Sequence, residues 1–93
     1  MKRIEIIFEE SNENEIMMIL RQANVEFYTR LHGITGKGQS GEKLNNAVGP
    51  GLNSIIVIYA DEEETGKIVA GIRRFQDVTE RMNRPAATRC AVS

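Results

Sequence analysis

The chain has 93 residues, 41% hydrophobic and 27% charged, with a formal net charge of −1 and an isoelectric point near 5.8. That suffices for one domain over residues 1–93 with a single modest core. The charge balance argues against a nucleic-acid partner, since general binders carry a basic excess, and no run of 18 apolar residues exists for membrane insertion.

Met1-Lys-Arg runs directly into Ile4-Glu-Ile-Ile-Phe8, and Glu5 breaks the apolar stretch that a signal peptide would need, so a cytoplasmic protein is expected. Ile4, Ile6 and Phe8 alternate with Arg3, Glu5 and Ile7, the period of a strand. An acidic, Asn-rich segment follows, in which Asn12 and Glu15 have the spacing of a capping box. Ile16, Ile19, Leu20 and Ala23 then form one stripe of an amphipathic helix, widened by Met17 and Met18 for core or subunit contact. Asn24 is suited to end that helix in a left-handed conformation. Val25 to Ile34 is aromatic and β-branched and predicts a second strand, with Tyr28, Arg30, His32 and Ile34 on one face and Phe27, Thr29 and Leu31 on the other.

Between Gly33 and Asn53 the chain places six of its eight glycines and no aromatic residue. Glycine loses the most backbone freedom on ordering, and loops longer than about 12 to 15 residues are usually functional or disordered. A loop at 35–53 is therefore expected, mobile without ligand. Ser54 to Ala60 is a continuous apolar run, expected to form a central strand covered on both faces. Asp61 and Glu64 again have capping-box spacing. Ile68, Ile72, Phe75, Thr79 and Met82 give the next helix its apolar stripe, with Glu62, Glu63 and Glu64 as its solvated start and Arg73 and Arg74 on its outer face. Gly71 marks a point of close packing within it. Pro85 is expected to stop the helix, with Arg81 and Arg84 in the last turn, where cations suit the dipole. Ala87 to Ser93 alternates as a fourth strand, with Thr88, Cys90 and Val92 on one face, and leaves open a continuation past Ser93.

The order strand, helix, strand, strand, helix, strand, with right-handed crossovers, predicts an α+β fold. It is the ferredoxin-like βαββαβ plait, a four-stranded antiparallel sheet with two helices on one face. Its other face is open, and Ile7, Tyr28 and Ile34 on the alternate register predict a homotrimer.

Gly36, Gly38 and Gly41 spell G-x-G-x-x-G after a strand, but no long helix follows and the chain is too short for a dinucleotide-binding domain. No Gly-Lys-Ser/Thr triplet marks a Walker loop. What stays open is an anion-binding nest of backbone N–H groups near Lys37 and Lys43, against a plain linker loop. His32 and Cys90 are metal-ligand types without ligand spacing, and a site there would need a carboxylate such as Glu42 or a neighbouring subunit. Cys90, the only cysteine, fits a reducing compartment and a small core position. His32 has no arranged nucleophile or acid that sequence shows, so an enzyme is not expected. For Phe27, Tyr28 and Tyr59 core packing is expected over base stacking.

The order of elements and the loop together resemble the PII family of signal-transduction proteins, with Lys2-Arg-Ile-Glu-Ile-Ile as first strand and Ser54-Ile-Ile-Val-Ile-Tyr-Ala-Asp-Glu-Glu leading into the second helix. Gly36-Lys-Gly-Gln-Ser-Gly41 is similar to the family's Gly-x-Gly-Arg-Gln-x-Gly at the base of its T-loop, one residue short and without the Arg. The resemblance implies a trimer that binds an adenine nucleotide (ATP, ADP or AMP) or another small anionic effector between subunits. The loop would report to a transporter or enzyme, with Gln39 in the place of the family's ligand-binding Gln. The family's phosphate-holding Thr-Gly-x-x-Gly-Asp-Gly-Lys is replaced by Glu80-Arg-Met-Asn-Arg-Pro85, so Gly36, Lys37, Gly38, Gln39 and Gly41, with Arg81 and Arg84, are the expected ligand residues. No tyrosine lies in the loop, which argues against uridylylation. The alternative on the same trimeric frame is a metal-binding or metal-tolerance protein using His32. An amino-acid-binding regulatory domain has no distinguishing residue.

Overall fold

A computed structural model describes residues 1–34, 37–38, 41–42, 53–83 and 88–93. Strand β1 (Lys2–Glu9) is followed by a 3-10 turn (Glu10–Asn12), helix α1 (Glu13–Gln22) and strand β2 (Thr29–Ile34). Two short strands, β3 (Lys37–Gly38) and β4 (Gly41–Glu42), precede the long strand β5 (Asn53–Ala60), helix α2 (Glu62–Arg81) and strand β6 (Arg89–Val92). The four main strands form one antiparallel sheet in the order β2-β5-β1-β6. This is the expected plait, with both helices on one face.

The core follows from the period-two pattern. Ile4, Ile6 and Phe8 of β1 lie opposite Ile58, Ile56 and Ser54 of β5, and all six are buried against Ile16, Leu20, Ile68 and Ile72 of the helices. Burying each Ile side chain contributes about 1.5 to 3 kcal/mol, so this pair of strands supplies much of the driving force. The Asp61 side chain caps α2, accepting from the Glu64 backbone N–H at 2.8 Å, as the spacing predicted. Asn24 takes the left-handed conformation at φ 61° after α1. By contrast, the Asn12 side chain makes no capping bond.

Several details depart from the sequence reading. Residues 25–28 are not strand, so Phe27 and Tyr28 precede β2. The register of β2 on β5 then shifts by one residue between Leu31 and Ile34, where Gly33 sits at φ 66°. An extra residue in one strand reverses which face every later side chain takes. Ile34, opposite Asn53, thus joins the face of Leu31 instead of that of His32. β5 is central but covered on one face only within this chain: Ile55 and Val57 are half-buried and Tyr59 is 64% exposed. Core packing also fails for Phe27 and Tyr28, both exposed, because they leave the sheet before it begins. Met82 lies past the end of α2 and is exposed. The helix closes with Asn83 at φ 57°, its N–H bonded to the Glu80 carbonyl, ahead of Pro85, which lies outside the described residues.

Gly71 is a close-packing point. A Cβ there would stand 2.6 Å from Ile19 Cγ2, whereas at Gly66 it would meet nothing within 4 Å. Replacing either glycine by alanine gains about 1 kcal/mol of helix propensity, but overpacking costs about 1 to 3 kcal/mol. Gly66→Ala is therefore expected to raise the urea midpoint and Gly71→Ala to lower it, as followed by circular dichroism.

Candidate functional site

Register and helix length decide which residues meet. Glu9 of β1 lies opposite Asn53 of β5, and Ile7 opposite Arg89 of β6, so both stems of the glycine-rich segment and the start of β6 share one end of the sheet. α2 leaves the other end at Glu62 and runs 20 residues, about 30 Å at 1.5 Å per residue. That matches the roughly 26 Å of an eight-residue strand and returns Arg81, its last residue, to the loop end. Gln76 fixes this return, its Nε2 donating to the Thr88 carbonyl at 2.8 Å.

Of the expected ligand residues, Gly36, Gln39 and Arg84 lie outside the described residues. Lys37 and Gly38 form β3, and Gly41 belongs to β4. The two strands pair antiparallel, Lys37 opposite Glu42 and Gly38 opposite Gly41. A backbone ribbon in the loop base was not foreseen, since glycines give no alternating pattern to read. The rest of the loop expected to be mobile, 35–36, 39–40 and 43–52, lies outside the described residues.

The sequence reading missed a polar cluster at the stems. Glu10, in the turn after β1, accepts from the Gly33 backbone N–H at 3.1 Å and from Ser54 Oγ at 3.4 Å, and its Oε2 meets His32 Nδ1 at 3.3 Å. Ser54 is fully buried, while His32 is half-exposed. Nearby, Arg30 pairs with Glu13 at 3.1 Å and ties β2 to the start of α1. Nothing local in the sequence announces contacts spanning 22 to 44 positions. The one usable signal was Ser54, a polar residue heading an apolar run.

Serine, histidine and glutamate together invite comparison with a nucleophilic relay. In such a relay the acid and the nucleophile hold different imidazole nitrogens. Here Ser54 Oγ, at 3.4 Å, and Glu10 both face Nδ1, so the cluster acts as a strut joining the ends of β1, β2 and β5. His32 and Cys90 stand on the two edge strands, β2 and β6, with β5 and β1 between them. Among the described residues no group of three His, Cys, Asp or Glu side chains is placed to hold a metal. Cys90 is half-buried against the core, and burial pushes its thiol pKa up although Arg73 opposes the shift.

Residues 1–83 match the family profile described as nitrogen regulatory protein P-II. The chain belongs to the P-II family. Among solved structures it is similar to CPII of Thiomonas intermedia K12, a nitrogen regulatory PII-like protein bound to ADP, AMP and bicarbonate. The TM-score is 0.73 at 24% identity, over 99% of this chain and 86% of that one. The apo form of CPII gives a TM-score of 0.71 at 22% identity, covering 99% and 85%. A PII-like signalling protein of Thermus thermophilus gives 0.64 at 17%, covering 99% and 83%. No curated protein sequence matches the chain significantly. Among the described residues no helix is long and apolar enough to cross a membrane.

The Gly33 amide favours the ionised Glu10 carboxylate more than partial desolvation opposes it, with smaller help from His32 and Ser54, and holds its pKa below the usual glutamate range. A lowered folded pKa means this stabilisation is fully present above the ordinary glutamate pKa and is lost as pH falls through the lowered value. Carboxyl-detected NMR is expected to show Glu10 titrating below the ordinary glutamate range. Glu10→Gln should flatten the dependence of stability on acid pH.

Proposed function

We propose that the protein is a trimeric regulator that binds an adenine nucleotide at the loop end, in a cleft between subunits, and signals its occupancy to a partner through the 35–53 loop. P-II proteins are regulators, and this reading makes the chain one that carries no catalysis of its own. The observation that supports it best is that both loop stems lie at one end of the sheet and that α2, by its length, returns Arg81 to that end, with the Lys37-bearing ribbon following β2 closely in the chain. Gly36, Gly38 and Gly41 would let backbone N–H groups converge on phosphate, and Lys37 adds the charge that favours an anion. Gln39 offers a donor and an acceptor for recognition. Arg81 and Arg84 stand in for the family's missing phosphate loop. ADP and AMP, with bicarbonate, are the ligands of the similar CPII structure, and the same classes are the first to try.

The open sheet face supports the trimer. Ile7, Leu31, Ile34, Ile55 and Val57 share it, and contiguous apolar surface marks an interface. Tyr28, named with Ile7 and Ile34 at the sequence level, precedes the strand and drops out of that argument. A transporter or enzyme target and a cytoplasmic setting complete the proposal. The metal alternative has no comparable support, because His32 has Glu10 and Ser54 beside it and Cys90 at the opposite edge.

The test is calorimetric titration of ADP, AMP and ATP against protein shown by light scattering to be trimeric. Lys37→Ala should weaken nucleotide binding by roughly 1 to 3 kcal/mol, the scale of a lost charge-assisted bond, with unchanged melting of the unliganded protein. Binding of Zn²⁺ and of no nucleotide, abolished by His32→Ala, would transfer the site to the metal reading.

A further inference from the structure

Three groups converge on one carboxylate oxygen where β2 ends and β5 begins. Glu10 Oε2 lies 3.1 Å from the Gly33 backbone nitrogen, 3.3 Å from His32 Nδ1 and 3.4 Å from Ser54 Oγ. Ser54 Oγ and His32 Nδ1 also stand 3.4 Å apart, so carboxylate, hydroxyl and imidazole form a closed triangle. An ionised carboxylate only accepts hydrogen bonds, a hydroxyl has one proton to donate, and Nδ1 donates only when it carries a hydrogen.

Those capacities allow two arrangements. With a hydrogen on Nδ1, the imidazole and Ser54 both donate to Glu10, and all three donors serve one oxygen. With Nδ1 bare, two acceptors face each other, and the single Ser54 proton goes to one of them. Neutral imidazole takes either form, whereas the protonated ring carries hydrogen on both nitrogens and adds a positive charge beside the carboxylate. Proton uptake therefore selects the first arrangement and strengthens it. Histidine makes that change between about pH 5 and 8, and the His32 side chain is half-exposed, within reach of solvent.

The surrounding charges leave Glu10 as the counter-charge. Arg30, two residues before His32 on β2, is paired with Glu13 of α1 at 3.1 Å. Glu9 follows buried Phe8 and by alternation takes the open face of the sheet. β5 contributes Asn53 and Ser54 here, both uncharged. In the ribbon after β2, Lys37 stands opposite Glu42, one charge of each sign. Glu10 stays ionised where histidine changes charge, because the Gly33 amide holds its pKa below the usual glutamate range.

We propose that Glu10, His32 and Ser54 form a proton-sensitive clasp on the two loop stems, tightened when His32 gains a proton and loosened when it loses one. The tightened form gains as pH falls from alkaline to mildly acid, and is lost again only where Glu10 itself takes a proton. The use of the clasp as a signal rests on the loop reading proposed above, whereas the clasp itself does not.

The experiment is amide hydrogen exchange of the full chain at about pH 6 and about pH 8, each rate divided by its intrinsic value. The Gly33 amide bonds directly to Glu10 and reports the clasp. It should be at least about fivefold better protected at the lower pH, while Ile6 and Ile56 in the sheet centre show no such difference. His32→Asn supplies a permanent amide donor without a titrating ring and should protect Gly33 equally at both pH values. Glu10→Gln should lower protection at both and remove the difference. Equal protection at the two pH values in the unmutated chain, or an undiminished difference in His32→Asn, would overturn the proposal. A Gly33 response that persists in a protein that binds no ADP would strike the nucleotide reading and support the clasp.

Discussion

The antiparallel pairing of β1 with β5 is the constraint on which the other features depend. Eight consecutive pairs run from Lys2 opposite Ala60 to Glu9 opposite Asn53. Their inward residues form the floor of the core, so a slip of one position would expose that whole set. The register is therefore strongly specified, and it has a functional consequence. It fixes where the chain enters the 3-10 turn that carries Glu10 and where it re-enters the sheet at Asn53 and Ser54. The polar strut is possible because those two points are neighbours, and Gly33 of β2 can donate to the same carboxylate because the β2 bulge lies beside Ser54.

Two chemically opposed ends follow from the same frame. At the loop end the proposed ligand groups among the described residues are cationic or neutral: Lys37, Arg81 and the backbone of Gly38 and Gly41. At the other end Glu26 and Glu64 line a cleft with Phe27 and Tyr59, and Asp61 and Glu62 cap and begin α2. A plait with α2 spanning its whole length connects the two ends through one continuous helix, and Gly71, packed under Ile19, lets α2 approach α1 midway. Coupling between distant sites needs an element with two discrete arrangements. α2 is the element that touches both ends.

Much of this architecture was legible because it is local. Alternation over Ile4, Ile6 and Phe8, the stripe from Ile68 to Thr79, the Asp61 cap and the left-handed Asn24 each depend on neighbours within one or two turns. The resemblance to P-II proteins was legible from the element order and the Gly36–Gly41 motif together, and the family match over 1–83 bears it out. The failures share a cause. A one-residue bulge at β2 inverted the face of Ile34, and no local pattern distinguishes an inserted residue from a regular one. Phe27 and Tyr28 looked like strand by propensity, yet propensity does not say whether a sheet is there to receive them. The Glu10, His32 and Ser54 contacts join residues far apart in sequence, so they depend on the register and not on spacing. Of the proposed ligand residues Gly36, Gln39 and Arg84 lie outside the described residues, and their chemistry rests on residue type alone.

The central claim is that the loop end of the sheet is where nucleotide binding is registered. Hydrogen–deuterium exchange with and without saturating ADP tests it most directly. Slower exchange is expected on ADP addition at 36–42 and around Arg81, with β1 and β5 unchanged because they are already protected. Slowing confined to 24–27 and 59–64, or no change anywhere at saturating ADP, would contradict it.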